Sequence, residues 1–122
     1  MTTPLEFKSA HNPTWCPGCG NYGLLNSLKA AMAQAGLEPH TTVVVSGIGC
    51  SGKDPHFINT YGFEGLHGRV LPIATGIKLA NHKLKVIGCA GDGDAYGIGA
   101  CHFVHAARRN IGISYFVHNN QV

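Results

Sequence analysis

The stretch GCAGDGDAYGIGACHFVHAARRNIGISYFVHNN, residues 88–120, decides how this chain is organised. An apolar run ends in the glycine and aspartate motif GDGD at 91–94, and the stretch closes on Asn119 and Asn120. A carboxylate at the end of a buried strand is unfavourable unless a positive charge or hydrogen bonds compensate it. The pattern therefore raises the question of what compensates Asp92.

Hydrophobic periodicity predicts that strands alternate with helices along the chain. The segments 42–46, 84–90 and 113–118 are short and rich in apolar and β-branched residues, which is typical of buried strands. Helical spacing predicts helices over 22–35, 71–80 and 97–109, the first with Asn21 as its N-cap and Gly36 at its end. This order indicates an α/β fold, a three-layer parallel sheet with helices on both faces.

Each predicted strand runs directly into a polar motif. These motifs are GIGCSGK at 47–53, GDGD at 91–94 and NNQ at 119–121. The carboxyl ends of parallel strands share one edge of the sheet, and ligands bind there. The sequence therefore predicts one binding site built from the three motifs.

Two common nucleotide-binding motifs fit these glycine loops poorly. The dinucleotide motif G-x-G-x-x-G fails because Tyr96 and His102 stand where the third glycine is required. Residues 47–53 satisfy G-x-x-x-x-G-K of a P-loop, but Asp54 follows where Ser or Thr should bind Mg²⁺. The residues after it are poor helix formers, so the anion-binding helix is not predicted. A P-loop nucleotide hydrolase stays as an alternative.

The GDG motif suits a cation and a phosphate. Glycines allow the backbone to approach a phosphate closely, and Mg²⁺ binds one or two carboxylates together with phosphate oxygens. A magnesium ion with its diphosphate would compensate Asp92, although GDG alone is equally compatible with a solvated turn. The 25 residues 94–118 separate GDG from Asn119 and Asn120, which is room for one helix and one strand that return to the same sheet edge.

The amino-acid composition limits the classes of protein to which this chain can belong. The 122 residues are 44% hydrophobic and 12% charged, about half the usual charged share of roughly a quarter, so a partner is expected to cover part of the surface. The net charge of +3 comes from 9 basic and 6 acidic residues without a block of like charge, which gives no support to a nucleic-acid-binding face. The sequence shows neither a signal peptide nor 18 consecutive apolar residues, so a cytoplasmic location without a membrane is expected.

Cys16 and Cys19 are the one closely spaced pair among five cysteines. In a reducing compartment such a pair indicates a metal, cluster or redox site. A thioredoxin-like dithiol needs a preceding strand, which His11-Asn12-Pro13-Thr14 does not form, and a four-cysteine zinc site needs a second close pair. The sequence by itself leaves an iron–sulfur cluster and a zinc site both open.

The spacing of GDG and NN resembles the thiamine diphosphate signature. Together with WCPGCG at 15–20, SGIGCSGK at 46–53 and TYGFEGLHGR at 60–69, the chain resembles the β subunit of the 2-oxoacid:ferredoxin oxidoreductases over essentially its whole length. The resemblance implies a heterodimer with an α subunit. It also implies that a 2-oxoacid, coenzyme A and oxidised ferredoxin give an acyl-CoA, CO₂ and reduced ferredoxin, with thiamine diphosphate, Mg²⁺ and a 4Fe-4S cluster. The alternative from another class is an iron–sulfur or zinc electron-transfer module without a thiamine site.

The resemblance also implies roles for individual residues. Lys53 matches a lysine near the substrate carboxylate, with a solvated loop lysine as the alternative. The implied Mg²⁺ ligands are Asp92, the side chain of Asn120 and the main-chain oxygen of Val122, and the implied cluster ligands are Cys16, Cys19 and Cys50. The implied contacts of thiamine diphosphate are Ile48, Gly49, Cys50, Ser51, His67, Gly91, Gly93 and Asp94.

Other reactive side chains are expected to have no role in the binding site, and most of them are expected to pack within the fold. Cys89 and Cys101 are expected to be buried as small apolar groups, with Cys101 facing the core beside Ile98. His102 and His105 are expected to pack on one helix face. Glu64 is not given the role of activating the cofactor, because in the family that glutamate comes from the partner subunit.

The resemblance also predicts which part of a longer domain these residues form. Family members continue past Val122, so residues 1–122 are expected to be the N-terminal part of a thiamine diphosphate-binding domain, with a cysteine-rich head at about 11–20. The fourth cluster ligand is expected beyond Val122.

Overall fold

The computed structural model describes residues 2–121, in which four strands form one parallel sheet. The strands are β1 (Thr42–Ser46), β2 (Tyr61–Glu64), β3 (Lys85–Gly91) and β4 (Ile113–His118), in the order β2-β1-β3-β4. The three predicted strands are confirmed. Strand β2 is not predicted because it lies at the sheet edge with all four residues exposed, so no burial pattern marks its sequence.

One helix precedes the sheet, and three others connect its strands. They are α1 (Asn21–Gln34), α2 (Asp54–Phe57), α3 (Val70–Ala80) and α4 (Ala100–Arg109), with short 3₁₀ turns at Pro4–Phe7, Pro39–Thr41 and Ser51–Lys53. None of the helices within residues 2–121 is both long enough and apolar enough to cross a membrane.

Two predicted helix starts are wrong. Gly20 is the N-cap of α1, and Asn21 is a buried residue of its first turn whose side chain pairs with His118 across the fold. The helix predicted from Gly97 begins earlier, as a π-helical segment over Gly93–Ile98 that passes into α4 at Gly99. A Cβ atom at Gly99 would lie 2.5 Å from the carbonyl oxygen of Asp94, so this tight junction requires glycine.

The sheet separates two apolar cores. Alternate residues of a strand point to opposite faces, so Val44 packs with Phe7, Trp15, Leu25 and Met32 on the α1 side. Val43 and Val45 pack with Val70 and Ala74 on the α3 side. The predicted three-layer arrangement, with helices on both faces of a parallel sheet, is confirmed.

Helix α4 lies outside these cores, because none of its residues is buried. Cys101 is exposed and Ile98 is 56% exposed, so the prediction that Cys101 faces the core beside Ile98 is wrong. His105 is exposed as well, which contradicts its expected packing, whereas His102 is half-buried. Cys89 is fully buried on β3, as predicted.

Trp15 joins the cysteine-rich head to the first loop of the sheet edge. Its Nε1–H donates a hydrogen bond of 2.7 Å to the carbonyl oxygen of Cys50. Its ring packs edge-on against Tyr22 and Phe57, with centroid distances of 5.4 and 5.0 Å. The hydroxyl of Tyr22 donates in turn to the carbonyl oxygen of Trp15 at 2.9 Å. The head and the Cys50 loop are therefore held together by one buried aromatic cluster.

Replacing Trp15 tests this connection by its effect on the free energy of unfolding. Trp15→Phe keeps an aromatic ring but removes the hydrogen bond, and we expect a loss of about 0.5–1.5 kcal/mol. Trp15→Ala also leaves a cavity, and we expect a loss of about 3–5 kcal/mol. The control Leu5→Ala removes a side chain that is 77% exposed and should change stability by less than about 0.5 kcal/mol. Urea denaturation measures all three, and an Ala variant as stable as the control would contradict the assignment.

Candidate cofactor site

The carboxyl ends of the strands meet at one edge of the sheet. Ser46 at the end of β1 lies level with Cys89 of β3 and Glu64 of β2, and Gly91 of β3 lies level with His118 of β4. The loops that follow β1, β3 and β4 therefore begin side by side. They enclose an open cleft of about 320 Å³.

Most of the residues implied by the family resemblance line this cleft. Lys53 is partly buried in the 3₁₀ turn after Cys50 and does not line it, and Asp92 lies half-buried between two lining glycines. Val122 lies outside the described residues. The predicted residues that line the cleft are Ile48, Gly49, Cys50, Ser51, His67, Gly91, Gly93, Asp94 and Asn120.

Asn21 and His118 also line the cleft, and sequence reasoning did not single them out. His118 Nδ1 and Asn21 Oδ1 are 3.2 Å apart, although 97 positions separate the two residues in the chain. The position of His118 directly before Asn119 and Asn120 was the one available signal for it. Asn21 gave no such signal, because its sequence context is equally typical of an N-cap.

Several oxygen atoms around the cleft are buried without a hydrogen-bond partner. They are Oδ1 of Asp92, Oδ2 of Asp94 and Oγ of Ser51. Buried polar atoms are rarely left unpaired in folded proteins, and carboxylate oxygens are the ligands that Mg²⁺ prefers. The residues present therefore fit a bound cation beside Asp92.

The loop after β3 is shaped to receive an anion. Asp92 directly precedes the helical segment Gly93–Ile98, and the first N–H groups of a helix have no partner within it. A Cβ atom at Gly93 would meet no atom within 4 Å. The backbone of the GDG loop is therefore accessible at its start, as a diphosphate contact requires.

Asp94 anchors a second loop onto the site. Its Oδ1 accepts a hydrogen bond from the backbone N–H of Gly68 and lies 3.0 Å from His67 Nδ1. The carboxylate is 3% exposed, and a Cβ atom at Gly47 would collide with its Oδ2. Glycine at 47 is thus needed for the close approach of the two loops. The side chain of Asp94 holds His67 at the cleft.

The cysteines predicted as cluster ligands lie at the surface. Cys16 and Cys50 are exposed and Cys19 is half-buried, and the Trp15 hydrogen bond ties the Cys16 segment to Cys50. Among residues 2–121 the one set of three His, Cys, Asp or Glu ligand atoms within 4.8 Å of one another is formed by Asp54, Cys89 and His118. The thiols of Cys16, Cys19 and Cys50 are thus not gathered around a single ion; in a cubane cluster each thiolate binds a different iron.

Asp54 is the buried group that the sequence did not identify. It is 1% exposed, and its Oδ2 lies 3.4 Å from His118 Nε2. Burial raises the pKa of Asp54 to about 7, against the opposing effects of the Cys89 thiol and of Lys29. Burial also lowers the pKa of His118. In the sequence, Asp54 was noticed only as a departure from the P-loop pattern.

The segment after residues 47–53 does not form the helix of a P-loop. Helix α2 covers only Asp54–Phe57 and contains Pro55. A phosphate-binding loop of that class runs into a longer helix whose N-terminus faces the phosphates. The geometry therefore gives no support to a nucleotide hydrolase.

Comparison with known proteins places these features in a family. Residues 42–122 match the family described as thiamine pyrophosphate enzyme, C-terminal TPP binding domain. The β subunit of 2-oxoacid:ferredoxin oxidoreductase 1 from Aeropyrum pernix is 56% identical over 108 residues, which cover 88% of this chain and 34% of that protein. The 2-oxoglutarate oxidoreductase subunit KorB from Mycobacterium tuberculosis is 44% identical over 117 residues, or 96% of this chain and 31% of that protein.

A solved structure agrees with the sequence comparisons. The 2-oxoglutarate:ferredoxin oxidoreductase from Magnetococcus marinus, determined with 2-oxoglutarate, coenzyme A and succinyl-CoA bound, superposes with a TM-score of 0.97 at 40% identity. The match covers 99% of this chain and 42% of that one. The chain spans about a third of the length of the curated relatives named above. It belongs to the thiamine pyrophosphate enzyme family, and its resemblance to the β subunits of the 2-oxoacid:ferredoxin oxidoreductases is confirmed.

Proposed function

We propose that this chain is the thiamine diphosphate-binding part of the β subunit of a 2-oxoacid:ferredoxin oxidoreductase. One observation carries the proposal: the cleft at the sheet edge joins the GDG loop, with its unpaired buried carboxylate oxygen on Asp92, to the loop of Cys50. The complete enzyme then converts a 2-oxoacid and coenzyme A to an acyl-CoA and CO₂ and reduces ferredoxin. When bound, thiamine diphosphate supplies the electron sink for decarboxylation.

The GDG loop and the loop after β4 hold the diphosphate and its Mg²⁺ in this proposal. Asp92 provides the charged ligand, and the side-chain oxygen of Asn120 provides a neutral one. Both follow strand ends that lie side by side in the sheet. The main-chain oxygen of Val122 completes the protein ligands. Gly91, Gly93 and the backbone of Asp94 contact the diphosphate, while the Asp94 carboxylate keeps His67 beside it.

The loop at 47–53 borders both cofactors in this proposal. Ile48, Gly49 and Ser51 contact thiamine diphosphate, and Cys50 joins Cys16 and Cys19 as a ligand of the 4Fe-4S cluster. Support comes from Trp15, which holds the head against the Cys50 loop through its hydrogen bond. A short path between the two cofactors suits the transfer of electrons, one at a time, towards ferredoxin.

Substrate and partner contacts come from Lys53 and from exposed apolar side chains in this proposal. The Lys53 ammonium binds the carboxylate of the 2-oxoacid, because it follows directly on the loop that contacts the cofactor. An α subunit covers exposed apolar side chains such as Leu66 and Val104, which are 74% and 62% exposed. That burial accounts for a chain with few charged residues.

The magnesium role of Asp92 is tested by titrating thiamine diphosphate into the intact enzyme. Asp92→Ala removes the charged ligand, and we expect the Mg²⁺-dependent affinity to fall by roughly tenfold to hundredfold, since an interaction with a charged group contributes about 1.5–3 kcal/mol. The control Glu38→Ala removes an exposed carboxylate that does not line the cleft and should leave the affinity unchanged. Equal affinities of the two variants would contradict the assignment.

The substrate role of Lys53 predicts a change in KM alone. Lys53→Ala should raise the KM for the 2-oxoacid about tenfold or more, the effect of losing one charge-assisted contact, with thiamine content unchanged. Lys83→Ala is the matched control, because Lys83 is an exposed lysine that precedes the amino end of β3 and does not line the cleft. A KM that stays at the wild-type value would contradict this role and support the alternative that Lys53 is a solvated loop lysine.

Iron and sulfide analysis tests the cluster ligands. Cys16→Ser, Cys19→Ser and Cys50→Ser should each lower the iron content and weaken the electron paramagnetic resonance signal of the reduced cluster, because a 4Fe-4S cluster is held by thiolates. Cys101→Ser removes a thiol that is also exposed and should have no effect. Full iron content in any of the first three variants would remove that residue from the ligand set.

A further inference from the structure

A second group of possible metal ligands lies at the sheet edge and is not used by the proposed function. It consists of Asp54 at the start of α2, Cys89 on β3 and His118 at the end of β4, which are 1%, 0% and 9% exposed. One ligand atom from each lies within 4.8 Å of the other two. His118 also borders the cofactor cleft, whereas Asp54 and Cys89 do not.

The described residues compensate the carboxylate of Asp54 only weakly, because the nearby Cys89 thiol and Lys29 favour its charged form less than burial disfavours it. Neither of its oxygens has a hydrogen-bond partner, and both are buried. Burial raises the pKa of Asp54 to about 7 and raises that of the neighbouring Cys89 thiol. Both groups are therefore unfavourable as anions unless a cation is present.

His118 is already oriented as a metal ligand. Its Nδ1 lies 3.2 Å from Oδ1 of Asn21, and an amide oxygen only accepts hydrogen bonds, so this contact favours the tautomer with the proton on Nδ1. The unprotonated Nε2 then faces Asp54 Oδ2 at 3.4 Å. Metal-binding histidines usually donate their second N–H to an oxygen in this way, which fixes the ring.

The distances and charges select the kind of ion. Around a tetrahedral zinc ion with bonds of about 2.0–2.3 Å, ligand atoms lie roughly 3.3–3.8 Å apart, and the Asp54–His118 separation of 3.4 Å falls in that range. One thiolate and one carboxylate neutralise a divalent cation. Thiolate and imidazole ligands favour Zn²⁺ or a similar transition metal over Mg²⁺.

An access route reaches the cluster from one side. A cavity of about 240 Å³ is lined by Asp54 and His118 together with residues of α1 and β4, mainly apolar ones such as Leu28 and Phe116. It offers room for a water molecule as the fourth ligand, as in zinc sites with three protein ligands. A metal ion can enter the cluster by the same route.

We propose that Asp54, Cys89 and His118 bind a divalent transition-metal ion of the zinc class at a site separate from the Mg²⁺ at Asp92. The ion ties α2, β3 and β4 together beneath the cofactor cleft. The proposal stands on the geometry of these three side chains and does not depend on the proposed enzymatic function.

Cobalt is the probe for this site, because Co²⁺ occupies zinc sites and its bond to a thiolate absorbs in the near ultraviolet. The full chain is titrated with Co²⁺ in a Cys16→Ser/Cys19→Ser/Cys50→Ser background, so that the predicted cluster thiols do not contribute. We expect one equivalent of Co²⁺ to bind, with a thiolate absorption band that Zn²⁺ abolishes and excess Mg²⁺ does not. Cys89→Ser should remove the band, and Asp54→Asn should weaken binding at least tenfold.

Cys101→Ser in the same background is the control and should keep the band, because that thiol is exposed on α4. A band that survives Cys89→Ser, or a folded protein that binds no Co²⁺, overturns the proposal.

A second measurement, X-ray absorption at the zinc edge of the zinc-loaded protein in the same background, needs no variant at this site. One sulfur neighbour with nitrogen and oxygen neighbours supports the site, and a shell without sulfur, or with several sulfurs, contradicts it.

Discussion

Carboxylate oxygens buried at the carboxyl ends of parallel strands are the constraint on which the rest of this structure depends. Hydrogen-bond register places the ends of β1, β3 and β4 side by side, so the loops that follow them share one cleft. Asp92 and Asp94 each bring an oxygen atom into this region that finds no partner. The proposed cation and its diphosphate would give these oxygen atoms partners, which a solvated surface turn would not.

The same edge explains how the proposed cluster site and the proposed cofactor site can be neighbours. Cys50 belongs to the loop that lines the cleft, and Trp15 fixes the cysteine-rich head against the carbonyl oxygen of that residue. The aromatic contacts of Trp15 with Tyr22 and Phe57 also extend into the core on the α1 side of the sheet. The contacts that pack the core on the α1 side therefore also position the cysteine-rich head against the Cys50 loop.

The sequence predicted those elements that carry a strong local pattern. Strands β1 and β3 are buried apolar runs, β4 is a mainly apolar run at the other sheet edge, and α1 and α3 have clear helical spacing, so their positions followed from the residues. Strand β2 is exposed, and the π-helical turn at Gly93–Ile98 differs from an α-helix only in its hydrogen bonds, so neither leaves a distinct pattern. The pairing of Asn21 with His118 and the burial of Asp54 depend on contacts between distant segments, which periodicity does not reveal. Family resemblance supplied the proposed roles of single residues.

The most direct test of this account is a crystal structure of the intact enzyme with thiamine diphosphate, in which Mn²⁺ replaces Mg²⁺ and is located by its anomalous scattering. We expect the ion on the carboxylate of Asp92 and the side-chain oxygen of Asn120, with the diphosphate along Gly91–Asp94 and the thiazolium ring beside the loop at 47–53. An ion bound away from Asp92, or a diphosphate held elsewhere on the chain, would contradict the central claim.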